Sequence, residues 1–474
     1  MPFYQQSPSL HQRFRIALSS FMQQDGLPFA DVLTEEKIQH AFDDEEVSFA
    51  QGEDDVYTPA VTLWAFLSQV LFKDEQRSCL AAVTRVVVLW VALGKEPCSD
   101  NTGAYCRARA KVPVVVIKRL ALTVSHGCEQ KLPTNLLWKG RHVHLVDGTT
   151  VSMPDTAPNQ KDYPQPTTQA KGVGFPQARM VLLLSLATAM ITGMDLGPCA
   201  GKETGETALL RQLFDYLQSG DIVLGDRYYC SYFMIALLME RGVDVVTRLH
   251  QARAADFRRG RRLGGGDHVV TWTRPAKPEW MDEATYNRMP PSIQVREVQV
   301  QVHQPGFRVD SFVVVTTLLD AEAYTKNDVA ELYHERWLVE LDIRAIKVSL
   351  GMDVLRCKTP EMVRREIWTC LLAYNLIRQT LLQAAVAAGR SPRQLSFTAA
   401  LQKIAVSWLT LAVCDEAMAL KLITAHRSHL AHHIVGDRPN RVEPRAIKRR
   451  PKPQRLLTKP RAEARAEILT GMAA

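Results

Sequence analysis

A group of four residues near position 340 combines one carboxylate with two cations and a phenol. Tyr333, Arg336, Glu340 and Lys347 are separated by three, four and seven residues. At about 100° per residue, a continuous helix would place all four within a stripe roughly 60° wide. Arg344 joins the same stripe. The pattern therefore predicts an acidic side chain surrounded by groups that bind phosphate.

Two aspartates follow apolar segments that are typical of short strands. Asp147 comes after Leu145 and Val146, and Asp226 closes the apolar segment that begins at Ile222. Together with the glutamate of the helical stripe they form a candidate carboxylate triad for hard cations. Mg²⁺ prefers oxygen ligands from one or two carboxylates plus substrate phosphates. Two such ions about 3.5–4 Å apart can promote an in-line phosphoryl displacement.

Each of these signals also has a purely structural interpretation. A charged helical stripe is typical of a solvated face with ion pairs between residues four apart, such as Arg336 and Glu340. Asp147-Gly148 is a strong turn signal, so this aspartate would then be a turn residue. The combination of two aspartates at strand ends with a glutamate on a helix favours the metal-binding interpretation.

The same residues resemble the motifs of a known family. The helical pattern Tyr-x2-Arg-x3-Glu-x6-Lys matches the signature of the insertion-sequence-4 family of DDE transposases. Val-Asp-Gly-Thr at 146–149 and Gly-Asp-Arg at 225–227 resemble the first and second acidic motifs of that family, in the right order. Segments 102–109 and 440–453 are similar to its N-terminal region and its C-terminal arm.

This resemblance implies a fold and a site. The fold would be α/β, with a ribonuclease H-like catalytic core, a β-rich insertion and flanking helical N- and C-terminal regions. Asp147, Asp226 and Glu340 would be the catalytic residues and would bind two Mg²⁺ ions per active site, for which Mn²⁺ can substitute. The predicted DNA-binding residues are Tyr333, Arg336, Lys347, Arg344 and Arg227.

The resemblance also implies a reaction and partners. A DNA transposase would hydrolyse a strand at the element's end and join the resulting 3′-OH to target DNA by cut-and-paste. Its partners would be the terminal inverted repeats, the target duplex and a second subunit in a homodimeric synaptic complex. Two alternatives stay open: a nuclease of the same fold that does not join DNA, and a catalytically inactive or repurposed sequence-specific DNA-binding protein.

The hydrophobic pattern divides the chain into four parts. Residues 1–138 are interpreted as a helical region that would bind the transposon ends. Residues 139–350 are interpreted as the catalytic core, with strands and helices in the order β-β-β-α-β-α-β before the β insertion at about 250–320. A helical C-terminal region follows at 351–435, and a basic, extended arm at 436–474.

Within these parts the local signals are specific. We expect Ser99 or Asp100 to cap a helix, and we expect strands on both sides of a turn at Thr192-Gly193. An amphipathic helix is predicted from Glu206 to Leu217, and one long helix from about Lys326 to Leu350.

Charge and composition are consistent with a polyanionic partner. The net charge is +8, but it is unevenly distributed. Residues 438–465 hold eleven Lys and Arg against two Glu, a net +9, whereas residues 31–55 hold ten Asp and Glu against one Lys, a net −9. A basic C-terminal arm suits DNA, although solvated basic tails are common.

Other classes of protein lack support in the sequence. Nine scattered cysteines without a CxxC pair argue against a disulfide framework or a zinc site. His142 and His144 are interpreted as ordinary strand residues, and no P-loop accompanies the glycine run at 264–266. Neither a signal peptide nor a membrane span is predicted, so we expect a cytoplasmic, nucleoid-associated bacterial protein. Trp337 is predicted to pack in the core, and stacking on an extruded base is the alternative.

Overall fold

The computed structural model describes residues 9–168, 170–301, 311–436 and 457–470. The chain forms two compact units. The helical unit comprises Met1–Leu137, Ala187–Thr192 and Asp342–Val435, and the sheet unit comprises Trp138–Leu186, Gly193–Leu341 and Gly436–Ala474.

The secondary structure is mixed. The α-helices are α1 (Arg15–Ser20), α2 (Glu35–Asp43), α3 (Pro59–Leu71), α4 (Cys79–Ala92), α5 (Thr102–Lys111), α6 (Val114–Glu129), α7 (Ala157–Asp162), α8 (Glu206–Arg211), α9 (Tyr232–Glu240), α10 (Glu283–Arg288), α11 (Lys326–His334), α12 (Leu338–Arg344), α13 (Pro360–Ala387), α14 (Phe397–Val413), α15 (Glu416–His432) and α16 (Arg461–Leu469). The strands are β1 (Val143–Ser152), β2 (Gln177–Ser185), β3 (Ile191–Pro198), β4 (Ile222–Gly225), β5 (Asp244–Arg248), β6 (Arg261–Gly264), β7 (Asp267–Thr273), β8 (Ser292–Gln301) and β9 (Ser311–Thr316).

Helix α13 lies at the centre of the helical unit. The Thr359 hydroxyl caps its N-terminus and Pro360 is its first residue, so two start signals coincide. The helix is buried along most of its length and packs against α3, α6, α14 and α15. Among the described residues, α1 to α6 lie in the region predicted to be helical before residue 138, and α13 to α15 lie in the region predicted at 351–435.

The described strands form one sheet in the order β3-β2-β1-β4-β5-β9-β8-β7-β6. Strand β1 pairs antiparallel with β2 and parallel with β4, and β4 pairs parallel with β5. Beyond β5 the pairs with β9, β8, β7 and β6 are antiparallel. The prediction of a mixed α/β protein is therefore confirmed.

Apolar side chains bury the centre of this sheet. Val146 of β1 and Val223 of β4 belong to one buried cluster with Leu210 of α8 and Ile235 and Leu238 of α9. Strands covered in this way need continuous apolar runs, which is why β4 has the sequence Ile-Val-Leu-Gly without alternation. Asp147 of β1 and Asp226, which directly follows β4, are therefore attached to strands with a buried apolar face.

The β-rich segment predicted at about 250–320 contains β6 to β9 and the short helix α10. These strands extend the main sheet, because β9 pairs with β5. The fully buried Arg296 of β8 forms an ion pair with Asp267 of β7, with 2.6 Å between Nη2 and Oδ2. Arg296 also donates a hydrogen bond of 2.6 Å to the carbonyl of Tyr324, next to the N-cap Thr325 of α11. These strands therefore hold the start of that helix.

Two turn signals of the sequence do not form turns in the structure. Strand β1 runs without a break through Asp147-Gly148, because its pairing with β2 continues from His144 to Ser152. The turn between β2 and β3 falls at 186–190 instead of at Thr192-Gly193. Gly193 remains in β3, where a Cβ atom would lie only 3.0 Å from the Tyr216 ring. Both glycines therefore permit close packing instead of a change in chain direction.

Two helix boundaries also differ from the predictions. Helix α8 ends at Arg211, and a 3₁₀ turn at Phe214–Tyr216 replaces the rest of the predicted helix while Phe214 stays buried. The N-cap of α5 is Asn101, whose side chain accepts a hydrogen bond from the Gly103 amide. The predicted caps at Ser99 or Asp100 are wrong by one or two residues.

The helix predicted from Lys326 to Leu350 is interrupted twice. A capping box formed by Thr325 and Asp328 begins α11, a 3₁₀ turn at Glu335–Trp337 separates it from α12, and a π-helical turn follows at Ala345–Ser349. Each change of pitch shifts the angular positions that a regular helix would give. Trp337 is 54% exposed in the 3₁₀ turn, so its predicted packing in the core is wrong.

The C-terminal arm is not extended throughout. Its last described part contains α16, whose Arg461 forms an ion pair of 2.8 Å with Asp155 and lies 4.1 Å from the centroid of the Phe175 ring. The arm segment 440–453 lies outside the described residues. Among the described helices, none has the length and apolar character to cross a membrane.

Candidate active site

Asp147 and Asp226 occupy equivalent positions on two adjacent parallel strands. Leu145 of β1 pairs with Leu224 of β4, and each aspartate lies two residues beyond its member of this pair. Side chains two residues apart on a strand share one face of the sheet, and neighbouring strands lie about 4.8 Å apart. The two carboxylates therefore lie side by side at the carboxyl ends of the parallel pairing.

The environment of Asp147 favours its protonated form. Burial, together with the negative charges of Asp226 and Glu206, raises the pKa of Asp147 to about 6. A hydrogen bond of 2.8 Å from the Gly148 amide and the charge of Arg336 act in the opposite direction. Neighbouring carboxylates repel each other, and a bound cation would relieve that repulsion.

Asp226 is held by the turn that follows it. Its Oδ1 accepts a hydrogen bond of 2.8 Å from the Tyr228 amide and caps a 3₁₀ turn, Arg227–Tyr229. A Cβ atom at Gly225 would lie 2.9 Å from Cγ1 of Val146 and 3.1 Å from Cδ2 of Tyr229. The glycine in Gly-Asp-Arg thus allows β1 and the turn to pack closely around the aspartate.

Tyr333, Arg336 and Glu340 form a further side of the site. Arg336 Nη2 donates a hydrogen bond of 3.0 Å to Glu340 Oε1, and its charge acts on both Asp147 and Tyr333. Burial raises the pKa of Tyr333 to about 12, so its hydroxyl remains a donor at neutral pH. The structure thus brings Asp147, Asp226, Tyr333 and Arg336 together and connects Glu340 to them through Arg336.

The three predicted carboxylates do not form a closed metal cage. Within the described residues, no group of three or more His, Cys, Asp or Glu side chains is arranged to hold a metal ion. Glu340 pairs with Arg336 and keeps 41% of its side chain exposed. Asp147 and Asp226 supply the oxygen ligands that hard divalent ions prefer. Arg336 engages one oxygen of Glu340, Oε1.

The other predicted DNA-binding cations lie on different elements. Arg227 is exposed in the turn directly after Asp226. Arg344 and Lys347 belong to the helical unit, where Arg344 is exposed at the end of α12 and Lys347 is half-buried in the π-helical turn.

Glu206 is a residue of this site that the sequence reasoning missed. It is the first residue of α8 and is half-buried, and its charge acts on Asp147. Burial, and then the charge of Asp226, raises the pKa of Glu206. The Tyr229 hydroxyl lies 3.5 Å from its Oε2. No linear signal marks this residue, because the packing of α8 beside β1 is a tertiary property.

Arg248 was also missed. It ends β5 directly after Thr247, which pairs with Gly225, so it lies one strand away from Asp226 in the same row. Its guanidinium lies 5.2 Å from the centroid of the Phe312 ring, and its charge acts on Tyr333. The sequence contains one signal for Arg248, because a cation follows the strand-like run Val-Val-Thr.

Comparison with known proteins shows the family to which this chain belongs. The model of the family described as "Transposase DDE domain" matches residues 138–376, half of the chain. This chain belongs to the DDE transposase family. The match spans both aspartates and the glutamate helix, and it includes the β-rich segment between them.

Curated relatives agree with this assignment. The DDE transposase is 27% identical over 319 residues to transposase InsG of insertion sequence element IS4 from Escherichia coli K12, covering 66% of this chain and 69% of that protein. It is also 38% identical over 65 residues to the transposase of insertion sequence element IS421 from Escherichia coli, covering 14% of this chain and 18% of that protein. It is therefore a DNA transposase of the insertion-sequence-4 type.

One solved structure has a weaker similarity. The piggyBac transposase, solved in a synaptic complex with hairpin DNA, aligns with a TM-score of 0.42 and 10% identity over 90% of this chain and 86% of that chain. This similarity is too low to assign the fold. Membership of the DDE transposase family does imply dependence on a divalent metal ion and binding to DNA.

Proposed function

We propose that this transposase cleaves DNA at transposon ends and transfers the resulting 3′-OH to target DNA, with Asp147, Asp226 and Glu340 as its catalytic, metal-binding residues. The register of β1 and β4 carries this proposal, because it gives two neighbouring carboxylates on one face of the sheet. Burial, and then the negative charge of Asp226, raises the pKa of Asp147. A divalent cation would relieve the repulsion between the two carboxylates.

The proposed cofactor is Mg²⁺, two ions per site, with Mn²⁺ as a substitute. The carboxylate oxygens suit a hard ion better than a metal that prefers sulfur or imidazole. Bound ions would activate the attacking hydroxyl and stabilise the leaving oxygen. Asp147 and Asp226 would hold them from the sheet, and Glu340 from the helix.

A phosphate-dependent exchange would complete the site. Arg336 pairs with Oε1 of Glu340, so one oxygen of this carboxylate is already engaged in a hydrogen bond. A DNA phosphate would compete for the guanidinium, since Arg binds phosphate through paired hydrogen bonds. The released Glu340 would then complete the triad, so that metal binding and DNA binding support each other.

The phosphate-binding group in this proposal extends beyond Arg336. Tyr333 keeps its proton and would donate a hydrogen bond to a phosphate oxygen. Arg248 has a guanidinium that forms no hydrogen bond or ion pair with any other described residue, and it lies beside the row of aspartates. Arg227, Arg344 and Lys347 are proposed as further contacts with the DNA backbone.

The sheet topology supports a ribonuclease H-like core. The half of the sheet that would form this core has the order β3-β2-β1-β4-β5. Strand β2 is antiparallel to β1, and strands β1, β4 and β5 are parallel to one another. Strands β6 to β9 would form the insertion between the second aspartate and the glutamate. In this proposal the N-terminal helices bind the terminal inverted repeats, and a homodimer pairs two DNA ends in the cytoplasm, at the nucleoid.

The test is a cleavage and strand-transfer assay with end DNA and Mg²⁺. Asp147→Ala, Asp226→Ala and Glu340→Ala should each abolish both products while they leave end binding measurable. If any of the three cleaves like the wild type, the catalytic assignment fails. Cleavage without joined product would instead identify a nuclease, and end binding without cleavage by the wild type would identify a repurposed DNA-binding protein.

A further inference from the structure

Glu206 lies directly against the backbone of the first aspartate motif. A Cβ atom placed on Gly148 would lie 2.2 Å from Cδ and 2.4 Å from Oε1 of Glu206. Such distances are impossible for a real side chain, so the glycine after Asp147 leaves the space that this carboxylate occupies. The other carboxylate oxygen, Oε2, faces the hydroxyl of Tyr229 at 3.5 Å.

This position differs from that of a glutamate that only stabilises a helix start. Glutamate is common in the first turn, where it interacts favourably with the helix dipole from an exposed position. Glu206 is instead half-buried between Gly148 of β1 and the turn that follows Asp226. Arg179 and Asp226 are its charged neighbours.

Resting on the proposed function, we infer that Glu206 is an outer-sphere ligand of the ion site, bound to the ion through water molecules. Its carboxylate would accept hydrogen bonds from water molecules bound to an ion held by Asp147 and Asp226. Tyr229 would orient Glu206 by donating a hydrogen bond from its hydroxyl, and Gly148 would leave room for the carboxylate. Glu206 is thus a positioning residue that contacts neither the DNA nor the ion directly.

The coordination chemistry of magnesium explains why such an acceptor is needed. Mg²⁺ usually keeps several of its water molecules, and only one or two protein carboxylates bind it directly. The retained waters are strong donors and require acceptors. On one side of the aspartates, Arg336 has only hydrogen-bond donors, and it forms a hydrogen bond with Glu340. Glu206 supplies an acceptor carboxylate whose charge interacts with those of both aspartates.

The experiment measures Mn²⁺ binding to the full-length chain by electron paramagnetic resonance of the free ion, without DNA. Glu206→Gln removes the charge and keeps the size, and we expect the Kd for Mn²⁺ to rise about 10- to 100-fold, as for outer ligands elsewhere. Glu203→Gln is the matched control. Glu203 lies three residues earlier, its side chain is 54% exposed and it pairs with Arg211, so its replacement should leave the Kd unchanged.

Two further variants separate the possible failures. Asp147→Asn should abolish Mn²⁺ binding. If this variant still binds Mn²⁺, the metal site of the proposed function is wrong. If Asp147→Asn fails to bind while Glu206→Gln binds like the wild type, only the role of Glu206 is overturned. Equal losses of affinity in Glu206→Gln and Glu203→Gln would also overturn it, because they would indicate a general charge effect.

A folding defect would be recognised by circular dichroism. If Glu206→Gln unfolds, the Kd for Mn²⁺ is measured on Glu206→Asp instead. This variant keeps the charge, and its side chain is shorter by one methylene, which moves the oxygens away from the ion site. A raised Kd in this variant supports the inference, and a wild-type Kd overturns it.

Discussion

At the residue scale, the carboxyl group of Asp147 binds a proton more tightly than an exposed aspartate does. It is buried and lies near Asp226 and Glu206, and its pKa is about 6. In the proposed site a metal ion requires the ionised form, so protons and metal ions would compete for the same oxygens. The consequences differ for the metal-loaded and the ion-free protein.

For the metal-loaded protein, we expect DNA cleavage to increase with pH through about 6. Below that value the rate at subsaturating Mg²⁺ should fall up to tenfold per pH unit, because Asp147 is protonated. Initial rates from pH 5 to pH 8 would measure this, and saturating Mg²⁺ should move the midpoint to lower pH. A flat profile would show that Asp147 does not bind the ion.

For the ion-free protein, we expect Asp147→Asn to be more stable than the wild type at pH 7. The pKa of about 6 in the folded protein is higher than the ordinary aspartate value of 3.8, so the stabilising contribution of the protonated form is lost as the pH rises through 6. Asparagine avoids this loss, which corresponds to about 1–3 kcal/mol at pH 7. Urea unfolding at pH 4 and pH 7 would test it, since the difference should vanish at pH 4.

Arg336 connects the carboxylates with the proposed phosphate site. Arg336→Ala should lower the cleavage rate by about 10²–10³-fold, comparable to the loss of one preorganised donor that stabilises charge. Single-turnover assays would measure the rate, and Arg336→Lys should recover only part of it because the paired geometry is missing. Full recovery by lysine would argue that charge alone suffices.

At the scale of elements, strands β6 to β9 influence the site through α11. Arg296 of β8 contacts both Asp267 and the carbonyl that precedes the helix N-cap. The segment therefore connects the sheet to the helix that carries Tyr333. Its buried polar contacts make this connection specific, because an unpaired charge there would be costly.

Asp267→Ala should therefore destabilise the protein by about 3–5 kcal/mol, the typical cost of leaving a buried partner unpaired. Arg296 has no exposed surface with which to gain compensating hydration. Chemical denaturation would measure the change. Asp256→Ala is the control, since this aspartate pairs with the exposed Arg258 and its replacement should have a much smaller effect. Equal effects would contradict the structural role.

At the scale of the whole molecule, charge is separated along the chain. Residues 438–465 carry a net charge of +9, while residues 31–55 carry −9. A basic arm attracts DNA by releasing counterions, and this contribution depends strongly on salt concentration. Arg461, in the described end of the arm, already pairs with Asp155, so it contributes less to such binding than the rest of the arm.

Replacing Lys448, Arg449, Arg450 and Lys452 with glutamine should weaken binding to DNA of any sequence. The slope of log Kd against log salt should decrease by roughly 0.9 for each phosphate that the arm no longer neutralises. Fluorescence anisotropy at several salt concentrations would measure it, with Mn²⁺ binding as the internal control. An unchanged slope would show that the arm does not bind the DNA backbone.

The sequence by itself determined the class of protein and pointed to several residues of the candidate site. The Tyr-x2-Arg-x3-Glu-x6-Lys pattern and the two short aspartate motifs led to the DDE transposase family before any fold was known. Spacing along one chain can carry this information because residues 333–347 are close in sequence and lie on consecutive helical segments. The hydrophobic periods of helices and strands likewise follow from local sequence.

Only the tertiary structure decided which residues meet. The pairing of β1 with β4 places Asp147 beside Asp226 across 79 residues of chain. The packing of α8 brings Glu206 against Gly148, and the interrupted helix leaves Trp337 exposed and Glu340 paired with Arg336. These outcomes depend on strand register, helix pitch and close packing between distant segments, for which a linear pattern carries no signal.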